Sequence, residues 1–553
     1  MSTEKDSLCS RCRNPLKPRV DLSSAELMNA TSSPKFEPFI QEVEAMLFLA
    51  YQDGKDYEAE LIRLRSHITH IETQQVRLEN HRRQLQSLIS PLRKLPNETL
   101  AHIFEYTCEK NLLQDFPWHD DGSPPPTKLS SLVITYLPAM AISAVCSRWR
   151  QLALSYPSLW SNLDVEICMT LKHWSDGFIS MLDRYLQVSG NSPLNLTLNI
   201  QGQPQRNEPF ALVRLARHAH RWKTFKYMGE HTLTDYRILS DLRYPILTDL
   251  ELEAQDEGIS STDLNRFQHA PNLRALNTYD LVPSAIPYHQ LQWANFKIFS
   301  HSDMEDILRK CPSLTSLKLA GFDDSSDFPE TPSTGRSIVS LDVYEAAPES
   351  LSSMVFSCFN FPLLTDLKIS RDVDEDYVQT WPRKAFDSFI SRSACTITTF
   401  TIRNVALSDE DVIAALRIMP SLNDFEISDK GLKSHSPITT QLISSLCCVS
   451  PESLPTGSIM HLVPKLCSLR LVFTGTVFDD KAFIKTVRSR WLPDSKYATI
   501  VGVDCLRSVV LKFRHREVDA EVYKPLLDLD KKGLRVVVSG TKRTKIQYQI
   551  YSC

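Results

Sequence analysis

The chain has 553 residues, 42% hydrophobic and 23% charged, with 62 basic against 66 acidic side chains and a formal net charge of -4. That length allows three or four domains, or fewer if much of it is a solenoid. The near-neutral balance points to no nucleic-acid track and no acidic solvating tail. No segment reaches eighteen consecutive apolar residues, so no membrane span is expected, and MSTEKDSLCS lacks the basic-then-apolar run of a secretory leader.

Thirteen cysteines are too sparse for a disulfide scaffold, and several (Cys146, Cys358, Cys395, Cys467) sit beside apolar residues, as thiols buried in a reducing compartment do. Cys9 and Cys12 form a C-x-x-C pair, but the next histidine is His67 and the next cysteine Cys108, so no metal site is expected. Residues 1–56 contain Pro15, Pro18, Pro34, Pro38 and Gly54 and read as a loose tail with a short helix at 40–50.

From Glu58 to Leu92 one long helix is expected, within a coiled-coil-like segment 57–91. Leu61, Leu64, Ile68, Ile71, Gln75, Leu78, Arg82, Leu85, Ile89 and Leu92 alternate three and four apart, a seam with polar breaks at Gln75 and Arg82. Two arrangements cover such a stripe: self-association through 57–91, or folding back on the helix's own domain. The sequence leaves both open.

The segment 92–163 reads as a small helical module. Pro96 is placed to start a helix with Glu98 in its first turn, followed by Leu100, Ile103 and Phe104 on one face. Residues 107–128, with Asp120-Asp121-Gly122-Ser123-Pro124-Pro125-Pro126, read as an exposed loop. A second helix is expected over Ala139–Ala153, its apolar face made by Ile142, Val145, Cys146, Trp149 and Leu152. Pro157-Ser158-Leu159-Trp160 closes the segment.

Three elements in order resemble the F-box motif: Leu95-Pro-x-Glu98-x-Leu100-x-x-Ile103-Phe104, Val145-Cys146-x-x-Trp149-Arg150-x-Leu152-Ala153 and Pro157-x-Leu159-Trp160. More narrowly, the Ser90–Pro96 junction after a coiled helix resembles F-box proteins abundant in mushroom-forming (basidiomycete) fungi. The interval between the halves is longer than in a typical F-box. The resemblance implies binding to the Skp-type adaptor of an SCF (Skp–cullin–F-box) ubiquitin ligase. By that analogy Leu95, Pro96, Leu100, Ile103, Phe104, Val145, Cys146 and Trp149 serve the adaptor interface or the core behind it, and Glu98 is a polar edge contact.

After a connecting helical segment at 164–193, the region 194–553 carries Leu-x-x-Leu-x-Leu strands. Full matches start at Trp222, Leu247, Leu314, Ile338, Leu364, Ile397, Leu422, Leu466 and Leu506, and Leu273 begins a partial one. Pro245, Pro271, Pro312, Pro362, Pro420 and Pro464 each stand two residues before a start, where proline stops a helix without removing a ladder hydrogen bond. Helices are expected at 210–221, 303–311, 383–392 and 409–419. Short intervals of 24 to 26 residues match the leucine-rich period, and longer ones imply inserted loops at about 277–305, 428–460 and 472–500. A helix near 522–530, Gly533 and the strand Leu534–Val538 close the array. The expected fold is therefore α/β: a coiled helix and small helical module, then an irregular leucine-rich-repeat-like solenoid with helices on one sheet face.

His218 and His220 have no acidic partner at ligand spacing and read as packing or surface residues. There is no G-x-x-x-x-G-K-[ST], H-E-x-x-H or G-x-S-x-G, and no cofactor is expected. The leading expectation is a non-catalytic ligase adaptor holding an unknown protein target on the repeats, with the Skp-type adaptor and a cullin as partners. The alternatives are a non-ligase interaction scaffold and, from another class, an enzyme with its site in an inserted loop. Residence in the cytoplasm, the nucleus or both is expected, and the choice stays open, since Lys531-Lys532 and Lys542-Arg543-Thr544-Lys545 are too short and ordinary to read as an import signal.

Overall fold

The computed structural model describes residues 19–20, 40–114, 137–168, 176–202, 208–254, 260–280, 284–321, 329, 331–345, 351–371, 381–430, 432, 436–448, 461–475 and 477–541. The chain divides into two compact units, residues 1–100 and 101–553.

In the first unit, helix α1 runs over Ile40–Leu88, 49 residues, followed by a 3-10 turn at Pro91–Lys94. It starts eighteen residues before Glu58, so 40–56 is not part of a loose tail. Gly54 lies inside it with nothing within 4 Å of a Cβ position, and one exposed glycine costs a helix only about 1 kcal/mol. Asp53 accepts hydrogen bonds from the Arg19 and Val20 N–H groups (2.6 and 3.0 Å) and pairs with the Arg19 guanidinium at 2.8 Å. Most of the apolar seam is exposed, Leu78 by 70%.

Helix α2, Asn97–Thr107, begins after Pro96 with Glu98 in its first turn, as its sequence predicts. In the second unit the chain at Asn111–Gln114 is strand β1, inside the stretch that reads as an exposed loop. Four residues are too short to show a period, which is why the pattern misses it. The remainder of that stretch lies outside the described residues. The helix expected over Ala139–Ala153 is two: α3, Pro138–Val145, and α4, Ser147–Ser155. Cys146 breaks them with an extended backbone, φ -161° and ψ 170°. The Arg150 Nε donates to the Ser143 carbonyl at 3.0 Å, filling a carbonyl the α3 end leaves open.

The 164–193 segment is not wholly helical. It contains strand β2, Asn162–Cys168, before helix α5, Asp176–Val188. Thirteen further strands follow: β3 Leu194–Gln201, β4 Trp222–Gly229, β5 Asp249–Ala254, β6 Ala275–Asp280, β7 Trp293–Ile298, β8 Ser316–Gly321 and β9 Ser340–Glu345, then β10 Asp366–Arg371, β11 Thr399–Arg403, β12 Asp424–Ser428, β13 Ser468–Phe473, β14 Ser508–Phe513 and β15 Arg535–Gly540. Together the fifteen form one sheet in chain order, each strand parallel to the next. Two short strands, Ser333–Thr334 and Phe359–Asn360, pair separately.

Each Leu-x-x-Leu-x-Leu start except Trp222, which opens β4 itself, lies two residues before a strand. Its first apolar residue is buried at the turn and the next two point to the buried face. One buried row passes in register through Leu163, Leu196, Phe225, Leu250, Leu276, Ala294, Leu317, Leu341, Leu367, Phe400, Phe425, Leu469 and Val509. The alternation puts polar residues on the other face.

Two inserted loops expected from long intervals are regular elements. The 277–305 stretch contains β7, where Ala294 replaces the expected leucine and hides the pattern. The 472–500 stretch contains helices Asp480–Arg490 and Ser495–Val501. In 428–460 the helix Thr440–Ser445 is capped by the Thr439 hydroxyl, and 449–460 lies outside the described residues. The closing helix spans Ala520–Asp530 and ends through Gly533 at φ 108°, a conformation that favours glycine.

Candidate functional site

The residues of the F-box-like pattern divide by exposure. In the first unit Leu95 is half-buried at the end of the 3-10 turn, its N–H on the Leu92 carbonyl at 3.4 Å. Pro96 and Glu98 are exposed, and Leu100 is buried. In the second unit Ile103 and Val145 are exposed by 45% and 60%, Phe104 is buried, and Cys146 and Trp149 are half-buried. Phe104 and Trp149 are brought together, ring centroids 4.9 Å apart and tilted by 58°. Leu100 in the first unit and Phe104 in the second are therefore packing residues; apolar surface is offered by Leu95 and Pro96 in the first unit and by Ile103 and Val145 in the second.

One residue that orders this region is absent from the motif. Asn111, fully buried, donates from Nδ2 to the carbonyls of Leu159 (2.9 Å) and Asn162 (3.1 Å). Its Oδ1 accepts from the Ala139 N–H and the Tyr185 hydroxyl, both at 3.2 Å. One side chain thus ties β1 to α3, the Pro157–Trp160 turn, β2 and α5. Trp160 packs on Tyr185 at 4.9 Å and donates its indole N–H to the Ala153 carbonyl at 2.9 Å. Asn111 sits in Lys-Asn-Leu-Leu-Gln, a string that carries no turn or cap signature, so no sequence signal marks it.

The second candidate surface is the open face of the sheet. Across adjacent strands one outward row reads Asp164, Thr197, Lys226, Glu251, Asn277, Asn295, Lys318, Asp342, Lys368, Thr401, Glu426 and Arg470. Lateral bonds lace it: Lys226 to Glu251 at 2.7 Å, Asn295 to Asn277 at 2.8 Å, Lys368 to Asp342, and Glu426 between Arg403 (2.8 Å) and Arg470 (3.5 Å). A cleft of about 730 Å³ opens on this face over β2 to β7, lined by Glu105, Asp164, Lys226, Asp249, Glu251 and Trp293 among others.

Charge is unevenly spread along this face. On β2 to β5 the outward carboxylates Asp164, Glu166, Asp249, Glu251 and Glu253 outnumber Lys226, while from β7 onward the cations Lys297, Lys318, Lys368, Arg403, Arg470 and Lys512 exceed Asp342, Asp366, Asp424 and Glu426. Burial, with Glu166 nearby, holds the Asp164 carboxyl above its ordinary value despite Lys110. Burial likewise raises Glu253, where the Glu251 charge adds to it against Lys226. Burial works against the Lys226 charge, but Glu251, Glu253 and Asp164 outweigh it and hold that ammonium above the ordinary lysine value.

Two buried arginines serve structure. Arg221 donates to the carbonyl of Ser192 (2.9 and 3.0 Å) and the hydroxyl of Ser189 (2.8 Å) at the end of α5, with His218 Nδ1 at 3.4 Å. This supports the packing reading of His218. Arg490 donates to the carbonyls of Leu446, Val463 (3.0 Å) and Leu462. Among the described residues no group of three or more His, Cys, Asp or Glu side chains is arranged to hold a metal. Cys9 and Cys12 lie outside them. Cys358 is buried as expected and its thiol is pushed up to about 11 by burial, while Cys146, Cys395 and Cys467 are half-buried. No helix of the described residues is long and apolar enough to cross a membrane. No protein-family model matches the chain, and no curated protein matches its sequence.

Proposed function

We propose that the chain is the substrate-recognition adaptor of an SCF-type ubiquitin ligase. In this reading an F-box-like segment at 92–163 binds the Skp-type adaptor, and a leucine-rich-repeat-like sheet holds the target protein. The observation that carries it is the ordered motif from Leu95 to Trp160, with Pro96, Ile103 and Val145 left exposed as apolar surface. By the resemblance, Leu95, Pro96, Ile103 and Val145 each contact the adaptor, Glu98 adds a polar edge, and Leu100, Phe104 and Trp149 serve packing. The chain contributes no bond chemistry; it raises the effective concentration of target at the charged enzyme.

The target lies on the open face, where half-exposed polar residues stand in register over many strands. The acidic stretch over β2 to β5 favours a basic segment of that target, and the more basic remainder favours an acidic one.

Pull-down of the full chain with a Skp-type adaptor and its cullin tests the reading. Both co-purify, and Leu95→Asp with Pro96→Ala abolishes recovery. Adaptor without cullin would indicate a scaffold outside the ligase, and no adaptor at all would remove the proposal.

A further inference from the structure

We propose that α1 is one strand of a parallel, in-register, two-stranded coiled coil, and that a second copy of this chain covers its exposed seam. An α-helix of 49 residues is about 74 Å long. Along it Leu61, Leu64, Ile68, Ile71, Leu78 and Leu85 recur at the a and d positions of a heptad. Upstream the same frame places Tyr57, Gly54, Ala50 and Leu47 at its core positions, so the large apolar side chains of the seam are concentrated over Tyr57–Leu85. These side chains are exposed by half or more, except the half-buried Leu64 and the 40%-exposed Tyr57. A stripe of this kind, left in water along most of a helix, is what a facing helix of the same spacing covers.

The charges flanking the seam select the occupant and its direction. In a parallel, in-register pair each g position faces the e position five residues on in the other copy. That sets Glu60 against Arg65, His67 against Glu72, Gln74 against Glu79 and His81 against Gln86. No like charges meet at these g–e pairs along Leu61–Leu85. One turn upstream Asp53 would face Glu58, but Asp53 is already paired with Arg19 at 2.8 Å. At the core, Gln75 meets Gln75, and two amides can satisfy each other there. Arg82 meets Arg82, each held by Glu79 of its own helix at 2.8 Å, which offsets the like charge. The antiparallel alignment centred on the same seam sets Arg65 against Glu79, but it also sets Glu72 against Glu72 and Gln75 against Ile71, leaving the amide without a partner. A polar residue at one a position is a known selector of register.

Sedimentation of the full chain, with disulfide trapping, tests the assignment. The native chain sediments as a concentration-dependent dimer. Leu78→Glu, a change at an exposed position that leaves the sheet unit folded by near-UV circular dichroism, makes it a monomer. Arg65→Glu raises the dimer dissociation constant about tenfold by turning two attractive pairs repulsive, and adding Glu60→Arg restores it. On mild oxidation Gln75→Cys traps a covalent dimer faster than the native chain, while Glu72→Cys does not. A native chain that stays monomeric at tens of micromolar, or trapping through Glu72→Cys in place of Gln75→Cys, overturns the proposal.

Discussion

At the scale of single residues, the chain depends on buried polar side chains that serve several backbone segments at once. Asn111 satisfies two carbonyls, one backbone N–H and one tyrosine hydroxyl. Replacing it with leucine keeps the branched shape but removes a partner from all four; Tyr185 keeps a bond to the Met140 backbone, and the other three groups cost about 1–3 kcal/mol each unless water enters. Urea unfolding of Asn111→Leu should show a loss of at least about 3 kcal/mol; a loss below about 1 kcal/mol would show that the hub is dispensable. His218 gives a pH dependence. Burial first, then the charges of Arg221 and His220, lower its pKa below the ordinary 6.5, against a smaller opposing effect of Asp183. The unfolded chain then binds the proton more readily than the fold. Stability is therefore full above about pH 6.5 and falls with pH until the depressed folded value is passed. Thermal melts between pH 7.5 and 5.5 should show a smaller drop for His218→Gln than for the native chain, and an equal drop would contradict the assignment.

At the scale of elements, the sheet separates stability from recognition by strand parity. Leu341 and Leu367 lie on the buried row, adjacent and in register, whereas Asp342 and Lys368 pair on the open face. Leu341→Ala should cost about 2–5 kcal/mol, and Lys368→Ala no more than about 1 kcal/mol, in chemical denaturation of the full chain. Comparable losses at the two sites would contradict a one-sided core. The same parity explains what the sequence makes legible. Strands whose second apolar residue is Leu or Phe announce themselves, as Leu-Thr-Asp-Leu-Lys-Ile at 364–369 does. β7 fails because Ala294 stands at that position, and β1 because it is four residues long. The break at Cys146 is invisible since Val145, Cys146 and Trp149 keep helical spacing across it. Of the candidate sites, the exposed Ile103 and Val145 are named by the motif, while Asn111 and the cleft beside Trp293 arise from residues far apart in sequence.

At the scale of the whole molecule, one sheet of fifteen parallel strands in chain order gives each repeat its neighbours as its core. Its open face bears mostly carboxylates toward one end and mostly cations along the rest. A long helix with an uncovered heptad seam belongs to the other unit. Together with the motif at 92–163, this arrangement motivates a bivalent receptor, one surface for a ligase scaffold and another for a target. Hydrogen–deuterium exchange of the full chain, with and without a purified Skp-type adaptor, tests the receptor proposal. Adaptor-dependent protection should be confined to 92–107 and 138–155, with strands β11 to β13 at 399–473 unchanged. Protection elsewhere, or no change at any peptide at saturating adaptor, would contradict it.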